Sequence, residues 1–356
     1  MVPSRGGASS VDVRGRSELT RPDPRARILV VSLGGTIAST STPRADGVVP
    51  QLGAEELVRA VSGLDEVADI EATSFRQVPS GDLDFVDMVE LAQFIKGRLE
   101  GGVDGVVITQ GTDTIEETSF ALDVLLDVAA PVVVTGAMRN PTQVSADGPG
   151  NVLAAVKVAA SRAARGLGCL VVMNDEVHAA RFVRKTHSSN LATFRSPSSG
   201  PIGWVAEERV RIALRPARAV RIFLDALAQA PAVAVVTTGI GEDGRMLSAL
   251  APLGYAGAII DAFGAGHVPG AMVDAIEALI RQMPVVLCTR TGAGEVLNHT
   301  YGFVGSETDL LSRGVISGGI LDARKARVAL TLALAASVHP EHAIEHFTHL
   351  RDSLSD

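Results

Sequence analysis

Cysteine is scarce in this chain: two occur in 356 residues, Cys169 and Cys288, each inside an apolar stretch that reads as a strand. Both are expected as core thiols, without a disulfide or a reactive role. A basic surplus is also missing. The formal net charge is −8, whereas nucleic-acid binding rests on cationic groups that displace counterions, so no nucleic-acid partner is expected. No apolar run approaches the ~18 residues of a membrane-spanning helix. The first 25 residues carry Arg5, Arg14, Arg16, Arg21 and Arg25 among Gly, Ser and Pro. They lack the apolar core of roughly 7 to 15 residues that marks a signal peptide. A cytoplasmic protein without membrane contact is expected, and the tail over 1–25 buries too little surface to offset its ordering entropy and reads as disordered.

What is present suffices for a buried core, since hydrophobic residues make up 46 % against 20 % charged. The length suits two domains at roughly 100 to 200 residues each. From Arg27 onward short β-branched runs alternate with amphipathic stretches of helical length, the pattern of a parallel sheet with crossover helices. Strands are expected at 28–33, 105–109, 132–135 and 170–173, their continuous apolar character implying cover on both faces. Helices are expected at 54–62, 85–99, 115–128 and 150–165, with Asp84, Asp113 or Thr114, and Asp147 as N-caps. The stretch 178–215, rich in Ser, Pro, Gly and Arg, breaks the rhythm and reads as an irregular or hairpin region closing the first domain. A second set follows, with strands at 233–237, 257–261 and 285–288 and helices after Pro269, from Ala323 and from Pro340. The organisation is thus a tail 1–25, an N-terminal α/β domain 26–212, a linker 213–230 and a C-terminal α/β domain 231–356. On the last helix His339, His342, His346 and His349 share one face. Without cysteines or clustered carboxylates beside them, they read as a solvent-facing stripe and not as a metal site.

Three motifs carry chemistry. Leu33-Gly34-Gly35-Thr36-Ile37 ends the first strand, at the sheet edge where α/β folds bind ligands, and its glycines let backbone approach a small molecule. The same pair could serve a plain tight turn, but it does not complete the three-glycine fingerprint of a dinucleotide site. Thr109-Gln110-Gly111-Thr112-Asp113-Thr114 ends another strand and offers more hydroxyls than a helix cap needs. Arg184-Lys185-Thr186 supplies a lysine that is either a surface residue or the partner of Thr112 and Asp113. Threonine is a weak nucleophile, and a lysine beside a carboxylate can relay its proton.

These pieces in this order resemble the bacterial type I/II L-asparaginase family. Further matching segments are Thr135-Gly136-Ala137-Met138-Arg139, Ser145-Ala146-Asp147-Gly148-Pro149, Val171-Val172-Met173-Asn174-Asp175, Ala192-Thr193-Phe194 and Tyr301-Gly302-Phe303-Val304. The resemblance implies a larger N-terminal domain with a mostly parallel sheet flanked by helices, a smaller C-terminal α/β domain, and a homotetramer built as a dimer of dimers. It implies Thr36 as primary nucleophile on a closing loop, and Thr112, Asp113 and Lys185 as a second cluster in which Asp113 also holds the substrate α-amino group. Ser80, followed by Gly81, corresponds to the binder of the α-carboxylate. Gly111 also falls among the substrate-binding positions, the backbone at Ala137 would sit near the scissile amide, and Glu295 would reach the α-amino group across a dimer.

The implied activity is hydrolysis of L-asparagine to L-aspartate and ammonia through a threonine acyl-enzyme, without cofactor or metal. Carboxylates suit an ammonium, hydroxyls and backbone N–H groups suit a carboxylate, and glycine-rich turns can hold an oxyanion. Either one threonine performs both steps or Thr112 activates the water. The chain departs from the family pattern in three places. No tyrosine lies between Thr36 and Gly53, so Thr40, Ser41 or Thr42 replaces the loop tyrosine or the loop orders differently. Gly81 stands where many relatives have Gln, and Pro269 stands where some have an interface Asn. Other readings are a sensor that keeps the pocket without turnover, a nicotinamide oxidoreductase, and an amidotransferase subunit, which would need more than a short N-terminal tail.

Overall fold

The computed structural model describes residues 26–35, 39–41, 48–50 and 53–354, the stretches 39–41 and 48–50 as backbone alone. The expectation for the tail 1–25 falls outside the described residues. In chain order the strands are β1 (Arg27–Ser32), β2 (Ser39–Ser41), β3 (Val48–Pro50), β4 (Asp69–Ser74), β5 (Gly105–Thr109), β6 (Val132–Thr135), β7 (Cys169–Met173) and β8 (Glu176–Ala179). They continue with β9 (Arg184–Lys185), β10 (Phe194–Arg195), β11 (Gly203–Ala206), β12 (Arg209–Ile212), β13 (Val233–Thr237), β14 (Gly257–Ala262), β15 (Val285–Thr289) and β16 (Ile316–Ser317). The helices are α1 (Ala54–Arg59), α2 (Leu64–Val67), α3 (Phe85–Glu100), α4 (Ile115–Leu125), α5 (Gly148–Ala159), α6 (Leu247–Leu250), α7 (Val273–Ile280), α8 (Glu307–Ser312), α9 (Ala323–Ala335) and α10 (Pro340–Ser353).

Eight strands form the large sheet in the order β12-β11-β8-β7-β6-β5-β1-β4. The pairs from β4 to β7 are parallel, and the β7-β8, β8-β11 and β11-β12 pairs are antiparallel. Successive side chains of a strand point to opposite faces. Ile28, Val30, Val107, Val133 and Leu170 accordingly pack on one face with α5 and the short helices α1 and α2. Leu29, Val31, Val106, Ile108 and Val134 pack on the other with α3 and α4. The four central strands are buried on both faces, as their apolar runs require. The smaller sheet, β13-β14-β15-β16, is wholly parallel. One of its faces packs on α6, α7 and α8. The other shares a core with α9, α10 and, from the large domain, Phe120, Ala121 and Val124 of α4.

The α/β expectation therefore holds, with local differences. The stretch 178–215 does not merely close the domain, because β11 and β12 form a hairpin that extends the large sheet, with Trp204 opposite Glu176. Strand β4 was not anticipated. It is an edge strand of polar sequence, Asp-Ile-Glu-Ala-Thr-Ser, with little buried surface to give an apolar signal. Among the expected caps, Asp84 and Asp87 exchange side-chain and backbone hydrogen bonds at 2.9 and 3.1 Å, a true capping box. Asp147 precedes α5 but makes no capping bond to the helix N–H groups. Its carboxylate instead accepts from Met138 N, Arg139 N and Asn151 Nδ2 at 2.9–3.0 Å.

Both cysteines are buried and unpaired, and burial pushes their thiols well above the ordinary range. On α10 the buried residues are Ala343, Phe347 and Leu350. The four histidines are exposed, on a face flanking the buried one. Among the described residues no group of three or more His, Cys, Asp or Glu is placed to hold a metal ion, and no helix is long and apolar enough to cross a membrane.

Candidate active site

Chain segments converge where β1, β5 and β6 end. The ladder runs past the strands, with Leu33 N donating to Thr109 O at 2.8 Å and Gln110 N to Thr135 O at 3.2 Å. Gly35 has φ +86°, and a Cβ there would stand 2.0 Å from Gly111 N. Only a glycine lets these two loops touch. Gly111 presses in turn on Ser80, whose Oγ would lie 2.8 Å from a Cβ at position 111. Gly35 of the first motif, Gly111 of the second and Ser80 thus form one continuous surface, with Ser80 buried in the turn Ser80–Asp82.

Thr112 is buried in a single 3-10 turn, Thr112–Thr114, between β5 and α4. Lys185 reaches it from β9, which pairs with β10 through Lys185 opposite Phe194. Lys185 Nζ donates to Thr112 Oγ1 at 2.9 Å and to Asp113 Oδ1 at 2.6 Å. The lysine is mostly buried, whereas the Asp113 side chain is 81 % exposed. One face of Asp113 is therefore spent on Lys185 while the rest is open to a ligand.

The two alternatives for the α4 cap resolve here. Thr114 occupies the N-cap position without a capping bond. Its hydroxyl donates to Ser80 O at 3.0 Å and lies 3.2 Å from Gln110 Nε2. Asp113 turns to Lys185.

Glu116, which the sequence did not single out for a role, fixes the lysine from behind. Its Oε2 accepts from Lys185 N at 2.9 Å, and its Oε1 lies 3.5 Å from Arg324 Nε of α9. The signal for it was a carboxylate one turn beyond Thr112, which is also where acidic residues commonly favour a helix start. Ala137 is buried beside Gly136, whose carbonyl accepts from Asn151 Nδ2 at 2.9 Å. Together with the Asp147 bonds this holds the 136–139 loop at the edge of the site. A Cβ at Gly81 would meet nothing within 4 Å among the described residues, so on their side the position after Ser80 has open space.

Of the remaining expected residues, one falls outside the described stretches and one is not brought in. Thr36 lies outside the described residues, as do Thr42 and the position of the missing loop tyrosine, and of Thr40 and Ser41 only the backbone is described. Glu295 is exposed on the loop after β15, beside Gly294, whose N donates to Ser198 Oγ at 3.1 Å. It lines a crevice behind β9, on the Arg184 side and not the Lys185 side.

The fold and this cluster define a two-domain α/β protein with a threonine, lysine and carboxylate assembled at the carboxyl edge of its larger sheet. Family models for "Asparaginase, N-terminal" and "Glutaminase/Asparaginase C-terminal domain" match residues 27–218 and 232–347. The chain is 35 % identical to an L-asparaginase of Bacillus licheniformis over 312 residues, covering 87 % of this chain and 96 % of that one. It is 34 % identical to L-asparaginase 2 of Escherichia coli K12 over 88 % of this chain and 90 % of the relative. The crystal structure of a probable cytoplasmic L-asparaginase from Campylobacter jejuni superposes with a TM-score of 0.83 at 32 % identity, covering 91 % of this chain and all of that one. The chain belongs to the asparaginase family, as the motif order implied.

Proposed function

We propose that the protein is an L-asparaginase that hydrolyses L-asparagine to L-aspartate and ammonia. The observation that carries this reading is the Lys185 ammonium placed between Thr112 Oγ1 and Asp113, in a chain whose relatives bear that activity in their names. In the proposed chemistry Thr36 Oγ attacks the side-chain amide carbon and its proton passes to the leaving nitrogen. Ammonia departs and leaves a β-aspartyl ester on Thr36. Water, activated at the Thr112–Lys185–Asp113 cluster, then adds to the ester and frees both aspartate and the threonine hydroxyl.

The oxyanion of each addition falls to backbone N–H groups of the glycine-rich turns and the loop at Ala137. Ser80 and the backbone at Gly81 and Gly111 take the α-carboxylate. The open side of Asp113, joined by Glu295 of a neighbouring copy, takes the α-amino group. This role for Glu295 fits its separation from the cluster within one chain and calls for an oligomer, which we take to be a homotetramer. We further place the protein in the cytoplasm and the domain junction within 213–230.

The test is ammonia release from L-Asn, D-Asn and L-Gln by the purified protein, beside a Thr36→Ala variant. Rapid release from L-Asn that the variant loses supports the reading. Binding of L-Asn with no ammonia formed would assign a sensor role instead.

A further inference from the structure

The carboxyl end of the small parallel sheet carries a second feature, apart from the Thr112 cluster. Open α/β sheets collect ligands at that edge, where loops diverge and leave a crevice. Here the loop after β15, the segment 197–199 and the start of α9 enclose a cavity of about 340 Å³, lined by Arg181, Arg184, Ser198, Glu295, Asp322 and Lys325 among others. That volume lies within the range of roughly 300 to 1,000 Å³ typical of small-molecule sites.

The charges in this crevice are unequally committed. Lys325, 1 % exposed, donates from Nζ to Val183 O at 2.6 Å and to Asp322 Oδ2 at 3.3 Å. Arg184 Nε stands 3.9 Å from the same oxygen. Asp322 Oδ1 accepts from Arg324 N and Lys325 N at the start of α9. Burial disfavours the ionised carboxylate, but Lys325 and Arg184 outweigh it and hold the Asp322 carboxyl below its usual range. Asp322 is therefore ionised and already fully engaged.

Arg181 differs. It is only 5 % exposed, yet among the described residues its guanidinium makes no hydrogen bond and no ion pair, and its neighbour is the Phe182 ring at 5.9 Å. Burial lowers its pKa; the field of Asp123 works the other way, while Arg218 adds like charge. The Oδ1 of Asp123 is itself occupied by Cys169 N at 2.8 Å. A buried cation without a partner is costly, and a guanidinium presents five N–H donors in a planar fork that matches an oxyanion.

We propose that this crevice binds a small oxyanion, a carboxylate or a phosphate group, with Arg181 as its main partner and Arg184 and Ser198 at its rim. Glu295 and Asp322 on the same walls disfavour a polyanion, so a single anionic group fits best. An occupant would lie against the 292–295 loop that carries Glu295.

Calorimetric titration of the full-length protein with sodium phosphate and, separately, sodium acetate, at ionic strength held constant with sodium chloride, tests the site. Saturable binding of one anion per chain is expected, at least about tenfold weaker in a folded Arg181→Gln variant. The anion that binds more tightly names the ligand chemistry. Arg181→Lys keeps the charge and loses the fork, so it should bind with intermediate strength and carries the test if Arg181→Gln fails to fold. No saturable binding by the wild-type chain, or undiminished binding in either folded variant, overturns the proposal. The latter result would place the anion at the Ser80 cluster.

Discussion

Thr112 shows how little of a residue's role lies in its type. Its hydroxyl is an ordinary one, but it is buried in a tight turn and accepts a hydrogen bond from the Lys185 ammonium at 2.9 Å. Thr112→Val preserves volume and removes that hydroxyl. It should lower kcat for L-asparagine at least about 100-fold with the circular dichroism spectrum unchanged, the scale of losing a proton relay. Near-normal turnover would remove Thr112 from the mechanism. Gly81 illustrates the opposite case, a position defined by what it lacks. With nothing among the described residues within 4 Å of a Cβ there, position 81 itself offers no side-chain amide, and the longer, more flexible glutamine should suffer most from the missing contact. We expect a strong preference for L-Asn over L-Gln in kcat/KM. Gly81→Gln should narrow it by up to about tenfold, since a gained hydrogen bond contributes about 0.5 to 1.5 kcal/mol net. An unchanged ratio would clear Gly81 of responsibility.

At the scale of elements, strand β8 carries a buried histidine whose charge state bears on stability. His178 is fully buried, with Nδ1 2.9 Å from Ser196 Oγ. Glu176 stands 3.4 Å from Nε2 but is 45 % exposed. Its attraction is screened by solvent, and burial prevails, lowering the pKa to about 4 from 6.5. The unfolded ring takes up a proton near pH 6.5 while the folded one stays neutral, so the unfolded state binds more protons between the two values. Stability is therefore lost as pH falls from 6.5 towards 4, by about 3 kcal/mol for this group at about 1.4 kcal/mol per pKa unit. Urea unfolding midpoints measured at pH 7 and pH 4.5 should diverge less in His178→Gln than in the wild type. Equal divergence would show that the histidine is not the source. The hairpin β9-β10 has the same dependence on its surroundings, for two residues of strand place Lys185 only because Glu116 and the turn bonds from Thr186 to Thr193 O at 2.8–2.9 Å hold it.

Across the whole molecule, the smaller domain supports the site of the larger one. Lys325 of α9 binds the carbonyl of Val183, two residues before Lys185, and Arg324 of the same helix faces Glu116. The shared core of α4, α9 and α10 makes this contact a packed one. The proposed oligomer would extend the same logic to a second copy. Within one chain Glu295 lies exposed and lines a crevice without Thr112, so the contribution to substrate binding proposed for it would require a neighbour. Glu295→Ala should raise KM for L-asparagine more than it lowers kcat, because a charge partner of the α-amino group provides mainly binding. Full activity in a strictly monomeric form, checked by sedimentation, would contradict this.

Much of the architecture was legible without coordinates, because strands such as 105–109 and 132–135 are apolar runs buried on both faces, and burial of that kind leaves a mark in composition. Strand β4 and the β11-β12 hairpin left no such mark, since edge strands face water and their pairing is a long-range choice. The motif order pointed to the family that the comparisons show, and through that resemblance to the residue types proposed for attack and proton relay. Which hydroxyl meets which cation is another matter, as Thr112 and Lys185 lie 73 residues apart and no local rule of the chain refers to that distance. Asp147 makes the point in miniature: its sequence neighbours argue for a helix cap, and its carboxylate serves the loop beside Ala137 instead. Periodicity and composition act through local geometry and were readable in sequence. The Lys185 cluster, the support from α9 and the unpaired guanidinium of Arg181 depend on segments meeting in space, which only the tertiary packing decides.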